Sequence, residues 1–164
     1  MTLFSAVISG QTITNAGGDQ DIFELVAPAN SRVLIHDVIL GQTTEEGDAA
    51  AELLGILLMR GHTTTGSGGA AVTPVNLNPY SRVSGCTVAR NNTTVAADGS
   101  PATILADAWN LQAGYVWRMS DILHGKILVK PSQRFVVRLN ETPADDFTAY
   151  CTLLFEEIGK VPAS

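Results

Sequence analysis

At 164 residues the chain is sized for one ordinary domain, and its net charge of −6 with ten scattered lysines and arginines denies it the concentrated positive charge that binding a nucleic-acid backbone requires. Residues 1–10 lack the basic n-region and long apolar stretch of a signal peptide, and no apolar run is long enough to span a bilayer, so neither secretion nor a membrane partner is expected. Only 16 % of residues are charged while 45 % are apolar, sparse coverage for a monomer that must wet its whole surface, which points to surface buried against a partner.

In chain order, residues 1–20 read as an N-terminal segment or arm that orders on assembly, ahead of a domain over 21–159 and a short tail over 160–164. Residues 21–26 and 32–40 read as a hairpin around Ala27-Pro28-Ala29-Asn30-Ser31, where Pro and Asn supply the turn chemistry. Over residues 33–40 both alternating sets are mostly apolar, so both faces of that strand should be dry, and an adjoining subunit is the simplest cover for the second face.

Residues 43–61 support two readings. Early acids (Glu45, Glu46, Asp48), an Ala-rich body and Gly61 as a stop suit a helix; a short apolar run over 53–60, broken by Gly55, suits a strand. The strand is favoured because its neighbours are β and the run is short.

From Gly61 to Pro101 the composition shifts to Gly, Thr, Ser, Asn and Pro, which predicts long loops on a β scaffold. His62-Thr63-Thr64-Thr65-Gly66-Ser67-Gly68-Gly69 has the composition of a flexible loop, and turn signals at 91–94 and 98–101 flank strand candidates at 87–90 and 103–108. Trp109, Tyr115 and Trp117 gather around the turn Leu111-Gln112-Ala113-Gly114 with Arg118 beside them, and Tyr80 follows Pro79. Such a group packs in a core, anchors a subunit or partner, or stacks on sugar rings; Tyr80, Trp109, Tyr115, Trp117 and Arg118 are therefore the candidate contact residues.

Residues 134–139 place Phe135, Val137 and Leu139 inward and Arg134 and Arg138 outward; residues 147–157 place Phe147, Ala149, Cys151, Leu153 and Phe155 on one face. Together they read as a C-terminal antiparallel meander. About eight to ten short strands separated by turn-rich loops predict a single all-β domain, a β-sandwich or jelly-roll-like fold with long Gly/Thr/Asn-rich loops.

No catalytic constellation, metal site or cofactor motif is legible. His36, His62 and His124 are isolated, and His36-Asp37 are neighbours that point to opposite faces of a strand. Ser67 lacks the strand-to-helix context of a nucleophile elbow. The pairs Glu45-Glu46, Asp145-Asp146 and Glu156-Glu157 diverge on extended chain and read as solvated charge. Asn91, Asn92 and Asn140 begin glycosylation triplets that carry little meaning without a secretory signal. Cys86 and Cys151, far apart and without metal-type spacing, read as buried free thiols in a reducing compartment such as a bacterial cytoplasm.

The ordered set Arg60-Gly61-His62-Thr63-Thr64-Thr65-Gly66-Ser67-Gly68-Gly69, Val72-Thr73-Pro74, Ala89-Arg90-Asn91-Asn92-Thr93-Thr94, Trp109-Asn110-Leu111-Gln112-Ala113-Gly114-Tyr115, Pro131-Ser132-Gln133-Arg134-Phe135-Val136-Val137-Arg138-Leu139 and Leu154-Phe155-Glu156-Glu157-Ile158-Gly159 resembles small virion proteins encoded in tailed-phage and prophage genomes, over roughly residues 21–159. The resemblance implies a virion-associated β-sandwich of the capsid decoration (cement) type, assembled in the bacterial host cytoplasm. It implies a homotrimer seated on the major capsid protein of a phage head. Other functions weighed against it are a tail, fibre or head-spike module and a carbohydrate-binding module using Trp109, Tyr115 or Trp117.

Overall fold

The computed structural model describes residues 2–15, 18–44, 52–118 and 126–160. Glu45, Glu46, Asp48, His124 and the tail residues 161–164 lie outside them, as does the body of the helix considered for 43–61. Among the described residues every regular element is a strand, as the prevalence of period-two patterning requires.

Among the described residues twelve strands form two antiparallel sheets. The first sheet holds β1 (Thr2–Ile13), β3 (Ser31–Gln42), β6 (Val75–Asn76), β9 (Tyr115–Arg118), β10 (Ile127–Val129) and β12 (Phe147–Lys160). Its order is β10-β3-β12-β1-β6, with β9 also pairing β3. The second sheet runs β5-β7-β2-β11-β4-β8, from β2 (Gln20–Val26), β4 (Leu53–His62), β5 (Ala70–Val72), β7 (Thr87–Asn92), β8 (Ala102–Asn110) and β11 (Arg134–Leu139).

The core fills the space between the sheets. The set Phe147, Ala149, Cys151, Leu153 and Phe155 of β12 is buried as its alternation predicts, and Phe155 stacks on Phe4 of β1 at 5.5 Å. From the second sheet Phe135, Val137 and Leu139 meet it, together with Phe23, Leu25, Ile56 and Leu58. The apolar run 53–60 is strand β4, with Leu54, Ile56 and Leu58 inward, so the strand reading holds. Cys86 and Cys151 are free and buried. Burial pushes the Cys151 thiol up to about 12, and burial followed by the nearby Glu157 carboxylate pushes Cys86 up as well.

Three expectations about pairing need correction. Residues 21–26 and 32–40 are not a hairpin, because β2 pairs β7 and β11 while β3, in the other sheet, pairs β12, β9 and β10. Nor do β11 and β12 form a meander, since β11 lies between β2 and β4 and β12 between β1 and β3. The segment set apart as an arm supplies β1, which pairs β12 from Thr2↔Glu157 to Ile13↔Phe147 and buries Phe4, Ala6 and Ile8. The physical reason is common to all three: alternation tells a strand which face to bury and is silent on which neighbour completes its hydrogen bonds.

Candidate interaction surface

The outward sides of the two sheets are finished in different ways. On the second sheet, β2 is buried on both sides: Phe23 and Leu25 face the core, while Asp21 and Glu24 are buried under the chain's own loops. Glu24 accepts from the Gly66 amide at 2.9 Å and the Asn92 side-chain amide at 2.7 Å. Asp21 accepts from the Ala96 amide at 2.7 Å and from Arg138 Nε at 2.6 Å, and Arg138 in turn donates to the Ala96 carbonyl at 3.0 Å. These carboxylates face backbone donors that a loop would otherwise leave unsatisfied, and they hold the loop down because removing either would strand buried polar groups.

The Gly/Thr loop is therefore pinned, contrary to its composition. Thr64 bridges Ala97 and Ser67 bridges Thr94, both antiparallel. Glycine is required where this layer meets the sheet: a Cβ at Gly69 would fall on the Arg90 carbonyl oxygen, and one at Gly66 on that of Thr94. Arg138, expected to face outward, does so, yet this layer buries it. His62, at the end of β4, is buried too and its Nδ1 has no hydrogen-bond partner. Desolvation first, then the Arg138 charge, hold its pKa below the ordinary histidine value.

A second buried carboxylate clamp closes one end of the sandwich. Glu157 accepts from Arg82 at 2.6 Å, from the Ser84 hydroxyl at 2.6 Å and from the Gly85 amide at 2.7 Å. Burial alone would raise its pKa, but those hydrogen bonds and the Arg82 charge outweigh it and hold the carboxyl below its usual range. Glu156, on the other face of β12, is equally buried and meets His36 Nε2 at 3.2 Å. The pair Glu156-Glu157 is thus not solvated charge, whereas Asp145 and Asp146 are exposed. Asp37 turns to Arg118 at 3.1 Å, so His36 and Asp37 take separate partners across an irregularity in the β3–β12 register. Among the described residues no group of three or more His, Cys, Asp or Glu is placed to hold a metal ion.

Among the described residues the first sheet has no comparable cover. Outward rungs run from Val116 of β9 through Ile39 and Thr152 to Val7 of β1, and from Arg118 through Asp37 and Leu154 to Ser5 and Val75. Val7, Val75, Val116 and Tyr150 are exposed, and Leu34, Ile39, Leu128 and Leu154 are half-buried. The only ion pair on those two rungs is the internally neutralised Arg118–Asp37. The expectation of a second dry face on β3 is met only halfway within the protomer, since its outward residues remain partly open.

Two of the candidate contact residues flank this face at opposite edges. Tyr80, 97 % exposed, sits beyond β6 on the segment that also exposes Leu77 and Val83, and Arg118 lies on β9 at the other edge. Tyr115 and Trp117 are half-buried against the core, and burial together with the hydrogen bond to Asp107 pushes the Tyr115 hydroxyl up to about 12. Trp109 is corrected to a core residue. It is 1 % exposed, packs edge-on against Phe147 at 5.6 Å and donates its Nε1 proton to the Ala113 carbonyl at 2.9 Å, so it offers neither a sugar platform nor a subunit anchor. Asp21, Glu24 and Glu157 escaped sequence reasoning, since each reads locally as an ordinary strand charge; the polar residue within an otherwise apolar strand was the available signal.

The architecture defines an antiparallel β-sandwich with one self-covered sheet and one that stands open among the described residues. Comparison with family models, with curated proteins and with solved structures finds no match.

Proposed function

We propose that this chain is a non-enzymatic structural protein of a phage virion, a capsid decoration (cement) protein that binds and stabilises the head shell. The observation that carries the reading is the outer face of the first sheet, which among the described residues stands open and exposes Val7, Val75, Val116 and Tyr150 among polar neighbours, on a fold that covers the other sheet with its own loops. A face of this kind on a protein with so little charge is a place for contact with other proteins. With β5, β6, β7 and β9 set aside, we read the strand orders β1-β12-β3-β10 and β2-β11-β4-β8 as those of a jelly roll, an architecture that recurs in viral capsid and lectin domains. A fold by itself does not assign a function, and the sequence resemblance to phage virion proteins supplies the direction.

On this reading subunits close into a homotrimer, because open head-to-tail contacts would polymerise. Each trimer bridges neighbouring copies of the major capsid protein, and many weak contacts sum by avidity to resist the pressure of packaged DNA. The test is to add purified protein to matching capsids stripped of it. Saturable binding and improved survival of heating or chelation are expected; absence of binding overturns the cement role. Mass measurement in solution tests the trimer separately, with a monomer as the contrary result.

A further inference from the structure

A pocket of about 340 Å³ opens where the two sheets meet, between β4 and β8 of the second sheet and β10 of the first. Arg60 of β4 reaches across this seam and donates Nη1 to the Leu128 carbonyl of β10 at 2.7 Å, which fixes the guanidinium at the pocket wall. Lys130, just after β10, brings a second cation, and Ser100 and Gln133 add a hydroxyl and an amide.

Arg82, Arg118, Arg134 and Arg138 each face a carboxylate, whereas Arg60 and Lys130, like Arg32, Arg90 and Lys126, have none within ion-pair distance among the described residues; Arg60 and Lys130 are the two of these that line one pocket. Among the described residues no acidic one lines the pocket, although acids outnumber bases in the chain, 16 to 10. Two positive charges on one pocket wall, with a hydroxyl and an amide in the same lining, are the complement of a group carrying close to two negative charges. A phosphate monoester does so near neutral pH; a carboxylate carries one. The volume lies at the lower end of the range for small-molecule sites and leaves room for a compact organic part beside Ala102 and Leu128.

We infer that this seam pocket binds a small organic phosphate monoester, with Arg60 and Lys130 as its charge partners. The site shares only Leu128 with the outer-face residues of the first sheet named above, and its charge partners Arg60 and Lys130 are not among them, so its failure and the failure of the capsid role are distinguishable. Titrating the isotope-labelled full chain with phenyl phosphate should shift the amide resonances of Gly61, Ser100 and Ala102 saturably at millimolar concentrations. Lys130→Ala, an exposed position whose loss leaves the fold intact, should weaken binding about tenfold while the rest of the spectrum stays in place. Arg60→Lys, which keeps the charge and loses the planar fork, should weaken it as well. Benzoate should bind about tenfold more weakly than phenyl phosphate. Equal binding of benzoate, unchanged affinity in Lys130→Ala, or no saturable shift at these residues overturns the assignment.

Discussion

The outward faces of β2 and β12 pose the same problem to the chain and receive opposite solutions. Each belongs to a central strand whose inward face is packed. Over β2 the chain lays loops carrying the backbone donors that Asp21 and Glu24 accept, and the strand becomes dry on both sides without a partner. Over β12 the outward residues Tyr150, Thr152 and Leu154 stay partly open, Tyr150 the most. On β2 the contrast shows carboxylates inside an apolar strand marking a face that the chain's own loops cover, while the partly exposed apolar residues of β12 mark one that the other described residues leave open.

The largest expected effect breaks the covered face. Asp21→Ala removes the carboxylate between Arg138 and the Ala96 amide and leaves a guanidinium buried without its counter-charge. Denaturant unfolding should show a loss of about 3–5 kcal/mol, and limited proteolysis should open the loop near Ala96 first. A result close to wild type would mean that the loops are held by something other than Asp21.

A smaller loss is expected from Gly69→Ala, because the new methyl meets the Arg90 carbonyl and the loop must lift. About 1–3 kcal/mol should appear in the same unfolding measurement, with Gly114→Ala, where a new methyl meets nothing closer than 4.0 Å and φ is not positive, as a control for backbone effects.

Acid sharpens the comparison further. His62 has a depressed pKa in the folded state, so the unfolded chain binds the extra proton first; the stability this gives is complete above the ordinary histidine value of 6.5 and drains away as pH falls below it. Glu157, also depressed, contributes stability above its ordinary 4.5 that is lost at lower pH. Unfolding free energy should therefore decline in two stages on acidification, and His62→Gln should flatten the upper one.

The smallest effect on stability, and the most telling for function, concerns the open face. Val116→Ser and Val7→Ser replace exposed side chains and should change unfolding by no more than about 0.5 kcal/mol. Their effect should appear instead as weaker self-association or weaker capsid binding, read by sedimentation and by pelleting with capsids. If neither assembly measure moves, the open face is not the contact surface.

Much of the strand content was legible. The alternation of Phe135, Val137 and Leu139, and of Phe147 through Phe155, named core residues correctly because period two is a local property of extended chain. Partner choice was not legible: Pro28 and Asn30 announce a turn between β2 and β3, yet the strands part into different sheets, since a turn reverses the chain without dictating which edge it joins. The contact residues divided in the same way. Tyr80 projects freely and Trp109 lies in the core, although both are aromatics in turn-rich sequence, because exposure depends on which strands arrive from far along the chain.

Composition and periodicity by themselves determined that this is one all-β domain with free buried thiols and a surface poor in charge. Only the tertiary structure decided that β1 lies inside the first sheet, that Asp21, Glu24 and Glu157 are buried fasteners, and that among the described residues one sheet is covered while the other stands open. The division has a physical cause. Side-chain alternation is written into a few consecutive residues, whereas strand pairing and the burial of a carboxylate depend on donors brought from tens of residues away, such as the Ala96 amide that meets Asp21 across 75 positions.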